Sequence, residues 1–119
     1  MTEGNEIRAS VRYLPMSPQK VGLVADLVRG MDAVIALEVL QFTPKAAAKP
    51  VQKLLRSAIA NAEENFGLSR DELYIHQITA DKGPTRRWRR FGARGRFKPI
   101  KRRYTHVTIV LRERQAEGR

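Results

Sequence analysis

The sequence predicts an α+β fold: a three-stranded antiparallel sheet packed with three helices, from which one long β-hairpin protrudes. Three observations predict it. A segment near the N-terminus alternates apolar and polar residues with the period of a strand. Three later segments carry helix caps followed by apolar stripes of helical period. Two more strand-like segments flank a stretch that is basic throughout. With 119 residues and 42 % apolar content, the chain can bury one real but small core, so residues 1–119 are expected to form a single domain.

Ile7, Ala9, Val11 and Tyr13 alternate with Arg8, Ser10 and Arg12, which predicts a half-buried strand over 7–13. Ser17 then offers an oxygen to cap a helix, and Pro18 suits its first position, where a missing N–H costs nothing. Val21, Val24, Ala25 and Val28 follow at i, i+3, i+4 and i+7, with Leu27 widening the stripe and Gly30 expected to stop the helix. Asp32 is expected to cap a second, shorter helix, with Ala33, Leu37 and Leu40 on one side, helped by Val34 and Ala36. Thr43-Pro44 repeats the cap-plus-proline signal and predicts the start of a third helix. There Val51, Leu54, Leu55, Ala58, Ile59, Ala62 and Phe66 fall on one face, and Gly67 ends the pattern. Pro50 lies inside it and cannot donate a backbone hydrogen bond, so a kink or an irregular first turn is expected.

A strand over 73–81 alternates imperfectly, Leu73 and Ile75 then Ile78 and Ala80, which predicts a bulge. The last strand, 104–112, has Val107, Ile109 and Leu111 on one face. Sequential strands usually pair, so these two are expected to be antiparallel neighbours, with residues 83–103 between them drawn out as a basic hairpin. About ten residues per arm at roughly 3.3 Å each give a reach on the order of 30 Å. Gly92 and Gly95 are available for the turn.

Net charge is +11, and its location says more than its total. Lys82, Arg86, Arg87, Arg89, Arg90, Arg94, Arg96, Lys98, Lys101, Arg102 and Arg103 follow one another with no acidic residue between them. The other 12 basic residues are balanced by 12 acidic ones, so the chain reads as a neutral body holding out one cationic segment. Such a segment calls for a polyanion, either nucleic acid or an acidic membrane surface. Gly83, Pro84, Gly92, Gly95 and Pro99 break any amphipathic helix a membrane anchor would need, so no membrane partner is expected. No stretch approaches the roughly 18 apolar residues of a membrane span. Residues 1–10 carry Glu3 and Glu6 and no apolar run, unlike a signal or transit peptide. The absence of cysteine excludes disulfides and thiolate metal sites and fits a reducing compartment.

The chemistry of the segment favours RNA. Arginine outnumbers lysine eight to three, and guanidinium forks grip phosphate with two prongs and stack on bases. Trp88, Phe91 and Phe97 stand among the arginines, where they could stack on splayed bases. The bland alternative is a flexible basic linker, but a linker needs no flanking strands that pair. The segment's own charges repel one another, so it is expected to be poorly ordered until phosphate surrounds it.

The rest of the chain offers further candidate RNA contacts. Lys45, Lys49, Lys53 and Arg56 share one face of the third helix, with Glu63 and Glu64 near its other end. That is backwards for the helix dipole and makes sense if phosphate approaches the basic end; an ordinary solvated face is the alternative. Ser17 and Lys20 stand at a helix N-terminus that could hold a phosphate, although a plain cap explains them as well. Arg8 and Arg12 share a strand face and could extend the basic surface. His76 and His106, the only histidines, are expected on neighbouring strands. Without clustered carboxylates they make a poor metal or acid–base pair, so no catalytic residue, metal, cofactor or small-molecule substrate is expected. Sheet-surface packing or an RNA contact is the expectation for His76 and His106, and an ion pair with a nearby base for Asp81. Gly92-Ala93-Arg94-Gly95 has neither the spacing nor the context of a phosphate loop. The alternative function is a general nucleic-acid architectural protein using the arginine arm on duplex DNA.

Four stretches carry a family resemblance: Ser17-Pro18-Gln19-Lys20; Val28-Arg29-Gly30; Ser57-Ala58-Ile59-Ala60-Asn61-Ala62; and Gly83-Pro84 followed by Ala93-Arg94-Gly95-Arg96 and Lys101-Arg102-Arg103-Tyr104-Thr105-His106-Val107-Thr108. In this order and spacing the chain resembles the family of bacterial large-subunit ribosomal protein twenty-two, over roughly residues 7–112. The resemblance implies a small domain on large-subunit ribosomal RNA beside neighbouring ribosomal proteins, in the cytoplasmic ribosome. It implies a hairpin that threads between RNA domains, ties them together during assembly and presents its tip to the nascent peptide in the exit tunnel. By that implication Phe91, Gly92, Ala93, Arg94, Gly95 and Arg96 form the tip, Thr105 and His106 begin the returning strand, and Asn61 stands on the long helix. The chain departs from the family at Phe91-Gly92, where proline followed by arginine is common, at Pro50 in the long helix, and at the bulky Trp88.

Overall fold

A computed structural model describes residues 6–83, 86–91, 97–102 and 104–114. The elements run β1 (Glu6–Leu14), α1 (Pro18–Val28), α2 (Ala33–Phe42), α3 (Ala48–Phe66), a single 3-10 turn (Arg70–Glu72), β2 (Leu73–Lys82), β3 (Arg86–Phe91), β4 (Phe97–Arg102) and β5 (Thr105–Glu113). They build two antiparallel sheets, one of order β1-β5-β2 and a two-stranded ribbon of β3 and β4. The last strand of the chain is thus the centre of the main sheet, hydrogen-bonded on both sides.

One apolar core explains why the helices lie where they do. Ile7, Leu73, Ile75, Ile78, Val107, Ile109 and Leu111 come from the inner face of the sheet. They meet Val21, Val24, Ala25 and Val28 of α1, Ala33, Ala36 and Leu40 of α2, and Val51, Leu54, Leu55, Ala58, Ile59 and Ala62 of α3. These are stripes at i, i+3, i+4 and i+7, and burying them is what makes short helices stable in water. Leu55 is fully buried, so Leu55→Ala should cost about 2–5 kcal/mol.

The caps follow the sequence in part. Ser17 Oγ accepts from the Lys20 N–H at 3.3 Å, with Pro18 opening α1. Gly67 ends α3 at φ 66°, the left-handed conformation a side chain would resist. Thr43-Pro44, however, does not start α3. Thr43 closes α2 instead: its Oγ1 donates to the Val39 carbonyl at 2.6 Å, and its N–H donates to Leu40 at 3.3 Å. A turn over 44–47 intervenes, and α3 begins at Ala48 with no side-chain cap. Pro50 therefore sits at the third helical position. Its missing N–H is one of those that have no partner at a helix start anyway, and the irregular first turn replaces a kink. Asp32 precedes α2 but gives it no side-chain cap, because its carboxylate binds Arg114.

Two apolar residues leave their expected stripes. Leu27 is 43 % exposed, off the buried stripe of Val21, Val24, Ala25 and Val28, and Phe66 is 48 % exposed as the last residue of α3. The predicted bulge in β2 falls between Ile75 and Gln77, at His76. β1 has one too, between Val11 and Leu14.

β2 and β5 pair from Leu73↔Glu113 to Lys82↔Thr105, and the Gly83 N–H extends that ladder to the Tyr104 carbonyl at 2.8 Å. A Cβ on Gly83 would stand 3.0 Å from that carbonyl oxygen, so glycine permits the close approach of the two chains at this neck. Beyond it β3 pairs with β4 from Arg86↔Arg102 to Phe91↔Phe97. The Cα extents are 71 × 31 × 22 Å and the radius of gyration is 17.9 Å, against about 13.5 Å for a compact chain of this length. Of the expected tip, Gly92, Ala93, Arg94, Gly95 and Arg96 lie outside the described residues, as does Arg103.

Candidate nucleic-acid interface

Strand direction turns a list of charges into a surface. β1 runs toward the neck and β5 away from it, while β2 runs toward it. α1 and α3 both begin near the neck, and α2 ends there. Thr105 Oγ1, fully buried, donates to the Met16 carbonyl at 2.6 Å and so ties the start of β5 to the turn before α1. Lys82, Arg12, Lys20, Lys45, Lys49 and Lys53 consequently gather at the neck end of the body, with Arg56 half-way along α3. All are exposed.

Their neighbours are chosen by the fold rather than by sequence distance. Ser17, Lys20 and Lys45 line one groove, with Pro15, Met16 and Ala47 in its floor. Lys45, Lys49 and Arg56 line a second groove together with Thr43 and Gln52. Lys45 belongs to both, so the turn that replaces the expected start of α3 joins the N-terminus of α1 to the basic face of α3. Lys49, Lys53 and Arg56 follow at i, i+4 and i+7, one helical face. Among the described residues none of these cations forms an ion pair.

The opposite end of the body is different. Arg70 grips both oxygens of Glu63 at 2.9 and 3.0 Å. Arg114 reaches Asp32 through Nε at 3.0 Å and Nη2 at 2.6 Å while lying over the Tyr74 ring, 4.6 Å from its centroid. Arg112 binds Glu6 through Nε at 2.8 Å and Nη2, with Arg8 3.9 Å away from the same carboxylate. Arg29 pairs with Asp26 and also donates to the Ile78 carbonyl at 2.8 Å. The hydrogen bonds from Arg112 and Arg70 hold the Glu6 and Glu63 carboxyls below the usual carboxylate range. Glu64, Asp71, Glu72 and Glu113 lie at this end as well. The net-neutral body is therefore polarised along its length: beside the neck stand cations with no ion-pair partner among the described residues and a single carboxylate, Asp81, while the matched pairs and most of the acidic residues lie far from it.

The structure brings together most of the sequence candidates in the body. Ser17, Lys20, Lys45, Lys49, Lys53 and Lys82 share the neck end, and Arg12 joins them from β1; Arg8 lies farther along β1, drawn toward Glu6. Arg86, Arg87, Trp88, Arg89, Arg90 and Phe91 stand in register against Arg102, Lys101, Ile100, Pro99, Lys98 and Phe97 on the ribbon. His106 has a structural partner that spacing did not reveal: its Nδ1 accepts from the Tyr13 N–H at 3.1 Å. His76 sits at the β2 bulge edge-on to Tyr74, more than four residues along the ladder from His106, so the two histidines share no site. No group of three or more His, Asp or Glu among the described residues could hold a metal ion. Asp81 lies opposite His106 and makes no ion pair within the described residues.

Comparison with known proteins gives a consistent result. The chain matches the family described as "Ribosomal protein L22p/L17e" over residues 9–112. It is 47 % identical over 110 residues to the "Large ribosomal subunit protein uL22" of Thermoanaerobacter sp. (strain X514), covering 92 % of this chain and 99 % of the relative. It is 44 % identical over 110 residues to the protein of the same name from Desulfitobacterium hafniense (strain DSM 10664 / DCB-2), covering 92 % and 96 %.

Proposed function

The chain belongs to the ribosomal protein L22p/L17e family, and from that premise we propose that it binds large-subunit ribosomal RNA through two connected cationic surfaces, the neck end of the body and the β3–β4 ribbon. It is a structural constituent of the large ribosomal subunit and not an enzyme. The body seats on RNA with Lys20, Lys45, Lys49, Lys53 and Arg56 toward phosphate, with Arg12 and the eleven cations of 82–103 continuing the same surface. The ribbon ties RNA domains together and carries residues 91–96 to the exit tunnel, where they meet the nascent peptide; neighbouring ribosomal proteins flank the body.

One observation carries the reading: among the described residues, cations without an ion-pair partner are concentrated at one end of a neutral body, and the basic ribbon leaves from that same end. Clustered cations of one sign cost the free protein self-repulsion, and phosphate relieves it while releasing counterions. The test is binding of the full chain to large-subunit ribosomal RNA across a salt series, with duplex DNA as competitor. The affinity should fall with salt with a logarithmic slope of about −5 or steeper, and structured RNA should outcompete DNA. A shallow slope, or equal competition by duplex DNA at physiological salt, would return the protein to a general architectural role.

A further inference from the structure

We propose that Tyr13, braced against Tyr104 and His106 beside the neck of the ribbon, is a stacking platform for one unpaired RNA base. The inference rests on the RNA-binding reading above and adds to it a site that charge alone does not predict.

Tyr13 is the only non-glycine residue with positive φ among those described, at 60°. A bulky side chain in that region costs on the order of 1–3 kcal/mol and persists only where its surroundings hold it. The surroundings are explicit. Its N–H donates to His106 Nδ1 at 3.1 Å. Its ring stands perpendicular to His106, centroids 4.9 Å apart at 89°, and to Tyr104, 6.0 Å apart at 80°.

The strain changes where the ring goes. Alternation along β1 would send Tyr13 inward after Ile7, Ala9 and Val11. The register shift between Val11 and Leu14 gives that inward place to Leu14, which packs against the core, and leaves Tyr13 51 % exposed on the solvent face. Bulges re-aim side chains in this way. Here the body gives up an aromatic it could have buried and fixes it rigidly in water. Arg12 precedes the ring, and Lys82 pairs with Thr105 across the sheet, so phosphates flanking a stacked base would meet cations. Asp81, opposite His106, lies across β5 from Tyr13 just as Lys82 does, so Arg12 is the cation on the ring's own strand. An exposed, immobilised aromatic bordered by cations is what a splayed-out base requires.

The experiment uses the full chain, full-length large-subunit ribosomal RNA, and ultraviolet crosslinking with peptide mapping. Tyr13→Gly adopts φ 60° without strain, so its melting temperature should stay close to that of the parent. Its dissociation constant should nevertheless rise by about 5- to 150-fold, with the salt slope unchanged because no phosphate contact is lost. Tyr13→Phe should restore binding, and crosslinks of the unaltered protein should map to residue 13 on RNA. Tyr13→Gly binding as tightly as the parent, while a Lys49→Gln/Lys53→Gln variant binds more weakly, overturns the platform and leaves the RNA-binding reading standing. A parent chain that prefers duplex DNA overturns both. If Tyr13→Gly fails to fold, the crosslink decides: crosslinks of the unaltered protein that map elsewhere and never to residue 13 overturn the platform.

Discussion

The two ends of the body handle the same charges in opposite ways. Far from the neck, Glu6, Asp32 and Glu63 each hold an arginine; two of those pairs join elements remote in sequence, β1 to β5 and the start of α2 to the residue after β5, and the third ties α3 to the 3-10 turn that follows it. Beside the neck, Arg12, Lys20, Lys45, Lys49, Lys53 and Lys82 have no such partner among the described residues. The far end is dominated by arginine, whose planar fork suits a fixed carboxylate; the near end is mostly lysine, a mobile point charge. Exposed ion pairs contribute only about 0–1 kcal/mol each, so the near end gives up little stability by lacking them. What it gains is a strong excess of positive charge, with Asp81 the one carboxylate beside it. Net charge, which is zero for the body as a whole, conceals this division completely.

The largest test of the division removes what leaves from the near end. Replacing residues 84–103 by a short turn should leave a folded body, because the described core is built from residues 7–80 and 107–111. The logarithmic salt slope for ribosomal RNA should become shallower by about 5 to 10, and incorporation into large subunits, read by sedimentation, should be lost. Normal incorporation would mean that the body alone carries assembly. A smaller step exchanges Lys45, Lys49, Lys53 and Arg56 for glutamine. The slope should then fall by about 3 with the melting temperature held or raised; an unchanged slope would show that this face points away from RNA. Smaller again is Lys49→Glu, near the start of α3 where no acidic residue answers the helix dipole. It should stabilise the free protein by about 0.3–1 kcal/mol in denaturant titration while weakening RNA binding, a trade that a merely solvated face would not show.

The smallest effect belongs to the far end and depends on pH. Glu6 and Glu63 titrate below the ordinary value of 4.5 because Arg112 and Arg70 donate hydrogen bonds to them. A depressed folded pKa means that their contribution is present above about pH 4.5 and fades as pH falls through the lowered values. Melting curves from pH 6 to pH 3 should therefore show a shallower acid decline for Glu6→Gln/Glu63→Gln than for the parent. Both pairs lie at the surface, the Glu6 side chain 32 % and the Glu63 side chain 33 % exposed, where solvent screens them, so the difference should be slight, and RNA affinity between pH 6 and 8 should not change.

Period and punctuation made much of this fold legible from sequence. The strands, the Ser17-Pro18 cap, the Gly67 stop, the β2 bulge and the pairing of β2 with β5 all follow from local rules that the tertiary structure reinforces. Thr43-Pro44 was misleading because threonine has two uses: the same hydroxyl that can cap the next helix can bond back to the carbonyl four residues earlier, and here it does. Asp32 looks like a cap until Arg114, 82 positions away, claims its carboxylate. The candidate interface was legible as a set of residues but not as a surface. That Lys20 and Lys45 share a groove depends on α1 and α3 starting at the same end of the sheet, which no spacing encodes. The turned-out Tyr13 was equally hidden, since in sequence it merely completes an alternation.

The central position of β5 has a mechanical consequence. Both arms of the ribbon continue strands that leave the body in the same direction, so a pull along the ribbon draws β2 and β5 together and slides them past β1. A load of that kind is shared by every rung between β1 and β5 at once, together with the isoleucine and leucine side chains beneath them, instead of opening one rung after another.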